Sequence, residues 1–425
     1  MQGRETPAAG RLRVGAPRGL ERAFGRERDV GVERRVHPAD ALEKGFDDLH
    51  GAQLPLADRG RELHRRQETN SVVSRHPGGI VTPVSGSPCS EDCVTLVATV
   101  ESRYLISCDW GTSAFRLRLV EGRPDPEVLA ERSTADGILA FQPARPDAFE
   151  RHLAAAIDAL FGAAATAPEP APVYLSGMVT SSLGWKELPY ARLPFPLDGS
   201  AAVVERAVLE RRYGAHPLLF ISGVRSDDDV LRGEETELIG LLSRDAERSL
   251  AGSCVTVLPG THSKAIEVEA GRVTGFRTCM TGELFQVLQR SSILRHSVEA
   301  PAGPGDPGNP FFERGVRRAA RDGLLASLFT VRAGTLIEGI DRGSNAHYLS
   351  GLLIGSEVAS IVRRHVAPRP ILVGGNASLQ ALYLRALDLL GAGARVRAAP
   401  EEVTSLAATL GHWSLRAQLE RRRAP

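Results

Sequence analysis

Ser107-Cys108-Asp109-Trp110-Gly111-Thr112 and Thr256-Val257-Leu258-Pro259-Gly260-Thr261 read as the same unit written twice. Before the first Gly-Thr turn, Tyr104–Cys108 has the apolar run of a buried strand. After it, Phe115–Val120 alternates as a strand should. Around the second turn, Cys254–Leu258, Lys264–Val268 and Arg272–Arg277 read as three successive strands. Laid over each other without a gap, Leu117 falls on Ile266, Leu119 on Val268 and Gly122 on Gly271. Two hairpins can look alike by chance, but a repeat of this kind also implies a duplicated domain with a ligand clamped between the halves. Each Gly-Thr turn offers backbone N–H groups and a hydroxyl to an anion such as phosphate.

The two turns differ at one informative position. Asp109 in the first faces Leu258 in the second. One acidic and one neutral turn suit a single Mg²⁺ between two phosphate loops, because this ion binds through one or two carboxylates plus phosphates and water. The competing role for Asp109 is that of a turn-capping aspartate.

Outward from the turns, strands and helices take turns. Residues 147–161 read as an amphipathic helix with Phe149, Leu153, Ile157 and Leu160 on one face. Strands are expected at 173–177 and 218–222, and helices at 233–243, 316–329 and 349–364. The last unit reads as strand 371–373, a Gly-Gly turn, helix 377–390, strand 395–398 and helix 401–415. This rhythm is that of an α/β protein.

The composition limits the partners. The chain has 425 residues, is 42% hydrophobic and carries a net charge of +1. That balance points to no nucleic acid and no anionic membrane surface, and no apolar run is long enough to predict a membrane span. The cysteines Cys89, Cys93, Cys108, Cys254 and Cys279 are few, odd in number and scattered, which suits a reducing cytoplasm rather than a disulfide framework. Residues 1–100 have no sustained apolar period and read as a disordered extension or the product of a misassigned start. Residues 101–232 then form a first domain and 233–425 a second.

Several segments, taken in order, resemble the 2-keto-3-deoxygalactonokinase family. They are Asp109–Ser113, Ser176-Gly177-Met178 with Gly184-Trp185, Arg232–Thr236, Pro259–Lys264, Phe276–Thr278 with Met280–Glu283, and Ser350–Gly355. The resemblance spans about residues 103–415. It implies two duplicated ribonuclease H-like domains, as in actin-like ATPases and sugar kinases, with a nucleotide cleft between them. It implies ATP-dependent phosphorylation of a small sugar acid, 2-dehydro-3-deoxygalactonate, in galactonate breakdown, with ATP and Mg²⁺ bound. A homodimer is compatible with it.

Phosphoryl transfer needs positioning, charge neutralisation and a group that orients the attacking hydroxyl. Glu234, after Gly233 at a helix start, is the first candidate for that group. Glu235 and the run Asp227-Asp228-Asp229 are the alternatives, and acids at a helix start can also serve the helix dipole alone. Gly111, Thr112 and Ser113 would line the first phosphate turn, and Gly260, Thr261, His262, Ser263 and Lys264 the second. Asp109 would hold the metal. Gly374 and Gly375 resemble an adenosine-binding turn. Met178 and Trp185 are candidate sugar contacts, Trp185 equally a packing residue. Arg116, Lys186, Arg225 and Arg277 are the candidate cations for the carboxylate, an arginine being preferred since guanidinium matches it in two-pronged geometry. The alternatives are a kinase for another sugar acid and a catalytically inactive sugar sensor on the same fold.

Overall fold

In a computed structural model, the described residues are 102–122, 125–143, 145–164, 169–211, 214–245, 249–299, 305–365 and 369–421. The expectations for residues 1–100, Cys89 and Cys93 included, fall outside them. The chain runs β1 (Tyr104–Trp110), β2 (Phe115–Glu121), β3 (Glu127–Thr134), α1 (Pro146–Ala163), β4 (Val173–Gly177), β5 (Ala191–Arg192), β6 (Phe195–Pro196), β7 (Val204–Arg211), β8 (Gly214–Ile221), β9 (Val224–Arg225), β10 (Val230–Leu231) and α2 (Glu234–Ser243). It continues through β11 (Ser253–Leu258), β12 (Ser263–Glu269), β13 (Arg272–Cys279), α3 (Thr281–Ser291), α4 (Pro310–Asp322), α5 (Leu324–Ala333), α6 (Arg342–Arg364), β14 (Ile371–Val373), α7 (Ala377–Leu389), β15 (Val396–Ala398) and α8 (Ala407–Arg421).

The duplication is written into the sheets. One has the order β3-β2-β1-β4-β8-β7 and the other β15-β14-β11-β12-β13-β6. In each, an antiparallel three-strand meander continues into parallel strands, which is the ribonuclease H-like arrangement repeated. The gapless overlay of the repeats needs a correction. Ser107 pairs with Arg118, whereas its counterpart Thr256 pairs with Ile266, so the second connection is one residue shorter. A one-residue shift turns every side chain to the other face. Leu117 and Leu119 therefore lie in the outer core under α1, while Ile266 and Val268 lie in the central core. The true counterparts of Ile266 and Lys264 are Arg118 and Arg116.

That central core sits between the two sheets. Leu105, Val120 and Tyr174 face it from one side, and Ile266, Val268 and Val273 from the other. Leu238 and Leu242 of α2 and Leu415 and Leu419 of α8 fill the space between. The two helices cross at glycines: a Cβ on Gly240 would stand 1.8 Å from the Ala407 carbonyl oxygen, and one on Gly411 would stand 2.0 Å from that of Thr236. Gly351 does the same where α6 meets α4, with the Phe312 carbonyl oxygen 2.1 Å from the Cβ position. Close backbone packing is thus the use of the glycines in Ser350–Gly355.

Some elements differ from expectation. The helix expected at 316–329 is two helices, α4 and α5, divided at Gly323, whose φ of +82° is left-handed. The helix expected at 401–415 is a short helix Glu401–Ser405 followed by α8. Helix α6 begins at Arg342, earlier than expected, where the Asp341 carboxylate accepts from Ser344 N at 2.9 Å. Strand β7 and helix α3 were not foreseen.

Candidate active site

Both Gly-Thr turns are held in the same way. In the first, Gly111 N donates to Ala114 O at 2.8 Å, and Ile138 N and Leu139 N donate to the Gly111 and Thr112 carbonyls. In the second, Gly282 N and Glu283 N both donate to Thr261 O at 3.1 Å. In each repeat the chain that leaves the third strand pins the turn between the first two. Thr112 and Ser113 are exposed on one turn, Thr261 and His262 on the other. His262 Nε2 is paired with the Glu283 carboxylate.

Two residues expected on the second turn point elsewhere. Ser263 is buried, and its hydroxyl donates to Glu357 Oε1 at 2.6 Å. The Glu357 carboxylate also accepts from Thr281 and Tyr383, and burial raises its pKa. Lys264 is buried too. Its Nζ stands 2.7 Å from Glu234 Oε1 and donates to His262 O at 2.9 Å.

Two glycines bring the acidic residues together. Gly177 ends β4 with φ +91°, and a Cβ there would meet the Trp110 carbonyl oxygen at 2.8 Å and Asp109 Oδ1 at 3.4 Å. Gly233 precedes α2 with φ +109°, and its Cβ position is 3.2 Å from Gly177 Cα. Asp109 therefore lies close to the start of α2. Glu234 is the first residue of that helix, and its Oε2 accepts from Arg232 N at 2.8 Å. Arg232 in turn stacks on Tyr190 and donates to Thr180, fastening the 178–190 segment to the helix start.

The electrostatics of this corner are those of crowded carboxylates. Burial raises the Asp109 pKa; Arg116, with Nη1 3.4 Å from Asp109 Oδ2, and Arg118 pull it down, and Glu234 pushes it up. Glu237 is raised to about 8 by burial first, then by Asp109 and Glu234. Glu235 is raised to about 7 by burial and by Glu234. Such a surplus of negative charge fits a divalent cation beside Asp109. Among the described residues, no group of three or more His, Cys, Asp or Glu side chains could cage a metal alone.

Among the alternatives, Glu235, Asp228 and Asp229 are engaged, as Glu234 itself is with Lys264 and Arg232 N. Glu235 accepts from Gly233 N and Thr236 Oγ1 and caps its own helix. Asp229 accepts from Thr278 N and Oγ1 and Val230 N, and Asp228 from Ser226 Oγ. Trp185 stacks on Phe149 and meets Phe220 edge-on, and Met178 packs on the same outer core. Among the described residues, the Arg225 and Arg277 guanidiniums have no hydrogen-bond or ion-pair partner, and Arg277 is exposed. Gly374 and Gly375 sit against Leu258 and Pro259 below the second turn. A cavity of about 300 Å³ opens beside that turn instead, lined by Gly260, Thr261, Phe285, His347, Leu382 and Tyr383 among others. Neither Glu237 nor this cavity was foreseen from sequence.

The family model for 2-keto-3-deoxy-galactonokinase matches residues 109–409. The chain is 36% identical over 321 residues to a protein of Rhizobium meliloti (strain 1021) named "Probable 2-dehydro-3-deoxygalactonokinase", covering 73% of this chain and 98% of the relative. It is 33% identical over 293 residues to the 2-dehydro-3-deoxygalactonokinase of Escherichia coli (strain K12), covering 68% and 91%. The crystal structure of a Sinorhizobium meliloti protein assigned to the same enzyme superposes with a TM-score of 0.61 at 33% identity, covering 74% of this chain and 99% of that one. With the paired turns and the acidic corner between them, these matches make the chain a member of the 2-keto-3-deoxy-galactonokinase family.

Proposed function

We propose that this protein transfers the γ-phosphoryl group of ATP to the 6-hydroxyl of 2-dehydro-3-deoxy-D-galactonate. The observation that carries the reading is the convergence of Asp109 and Glu234 through the Gly177–Gly233 contact, beside two turns suited to phosphate. Adenosine would occupy the cavity beside α3, α6 and α7, with its phosphates against Gly260, Thr261 and His262. Gly111, Thr112 and Ser113 would contact the transferring group from the other turn. Asp109 would hold Mg²⁺, which when bound neutralises charge on the phosphate oxygens.

Glu234 would orient the sugar hydroxyl and take its proton as the new O–P bond forms and the bond to ADP breaks. The unpartnered Arg225 and Arg277 are the cations proposed for the sugar-acid carboxylate. The test is a coupled ADP-release assay across a panel of 2-keto-3-deoxy sugar acids. Turnover should be fastest with the galactonate derivative. Binding without ADP release would favour a sugar sensor, and a faster epimer would reassign the substrate.

A further inference from the structure

We propose that Lys264 is a positioning residue for Glu234, fixing the proton-accepting carboxylate and tying it to the second phosphate turn. The inference rests on the assignment of Glu234 above. Three observations carry it. First, the ammonium is committed: Nζ lies 2.7 Å from Glu234 Oε1 and 2.9 Å from the His262 carbonyl oxygen, with the Lys264 side chain only 6% exposed. A buried ammonium held this way is not offered to solvent or to a phosphate in the cleft.

Second, the duplication repeats the device. Arg116 stands opposite Asp109 across β1 and β2, and Lys264 stands opposite Leu258 at the matching place in β11 and β12. At this matching place of the second strand each repeat supplies a cation. Arg116 takes the carboxylate of its own repeat, but Leu258 leaves Lys264 none, and Lys264 reaches across to the head of α2. Third, only three of the 52 basic residues are lysines, Lys44, Lys186 and Lys264. A compact ammonium can bridge a carboxylate and a carbonyl in a space where a planar guanidinium would need more room.

The consequence is a mechanical link. Movement of the turn that carries His262 moves the group that aims Glu234, so nucleotide seating and hydroxyl alignment are coupled.

The test compares Lys264→Met and Lys264→Arg with Glu234→Gln and the Lys264→Met/Glu234→Gln double variant. kcat and KM for ATP and for the sugar acid are measured, with circular dichroism to verify folding. Lys264→Met should lower kcat by about 10²-fold or more, the scale of a misplaced reacting group, with ATP KM changed less than threefold. Lys264→Arg should recover part of kcat. In the Glu234→Gln background, Lys264→Met should cost little more. A large rise in ATP KM with kcat kept would make Lys264 a phosphate ligand and overturn the proposal, as would additive losses in the double variant. A normal kcat for Glu234→Gln would instead remove the base assignment and this inference with it. If Lys264→Met does not fold, Lys264→Arg decides by the same split between kcat and KM.

Discussion

Gly177 and Gly233 meet backbone to backbone, at the end of one strand and the head of one helix. Both are left-handed, and a Cβ at Gly233 would lie 3.2 Å from Gly177 Cα. This contact sets the distance between Asp109 and Glu234 more directly than either side chain does. Gly233→Ala should therefore lose about 1–3 kcal/mol of stability, the cost of an L-residue in such a conformation, and lower kcat as well. Thermal denaturation and steady-state kinetics on the same preparation check both. Normal kinetics would show that the contact does not govern alignment.

Asp109→Asn should retain the fold, because the carboxylate is crowded rather than needed for packing. It should lower Mg²⁺-dependent turnover by orders of magnitude. A Mg²⁺ titration of initial rates, alongside Mg²⁺–nucleotide binding by calorimetry, separates a metal role from a turn role.

Glu234→Gln should lower kcat by about 10²–10⁴-fold with ATP affinity little changed. Glu235→Gln is the control, and its signature is in stability. The Glu235 carboxyl ionises near 7 in the folded protein against an ordinary value of 4.5. Between those values the folded state keeps a proton that the unfolded chain has given up, so wild-type stability falls as pH rises through that window. An amide does not titrate, and its oxygen can still accept from Gly233 N. Glu235→Gln should match wild type near pH 4 and exceed it at pH 8 in urea melts. Equal, modest rate losses at both positions would move the base to another residue.

How much of this was legible beforehand depended on range. The two Gly-Thr turns and the helix start that carries Glu234 could be found because strand, turn and helix start are local patterns. The inward turn of Ser263 was not, because its partner Glu357 is 94 residues away. Lys264 looked like a phosphate ligand because its carboxylate comes from the head of a separate helix, α2. The one-residue slip between repeats was hidden because Leu117 and Arg118 are neighbours, and only pairing says which faces the central core. Glu237 was not singled out among the acids at the head of α2, since its surroundings beside Asp109 leave no mark in sequence.

A further prediction concerns acid. His412 is fully buried on α8, with Nδ1 2.8 Å from Ser107 Oγ and Nε2 3.1 Å from Ser176 Oγ. Burial pushes its pKa down to about 3. The unfolded chain protonates this ring near 6.5 and the folded one does not, so its contribution is intact above 6.5 and lost as pH falls toward 3. The slope approaches about 1.4 kcal/mol per pH unit. His412→Asn should start less stable at pH 7 but lose less between pH 6.5 and 4.5, measured as urea midpoints.

The crossing of α2 and α8 through Gly240 and Gly411 also has a consequence for the chain during its synthesis. The helix that backs β1 and packs along the Glu234 helix is the last one described, Ala407–Arg421. A nascent polypeptide with both Gly-Thr turns already outside the ribosome still lacks that support. The first sheet can assemble early, as N-terminal units do, but its face toward the central core gains Leu415 and Leu419 only when α8 docks.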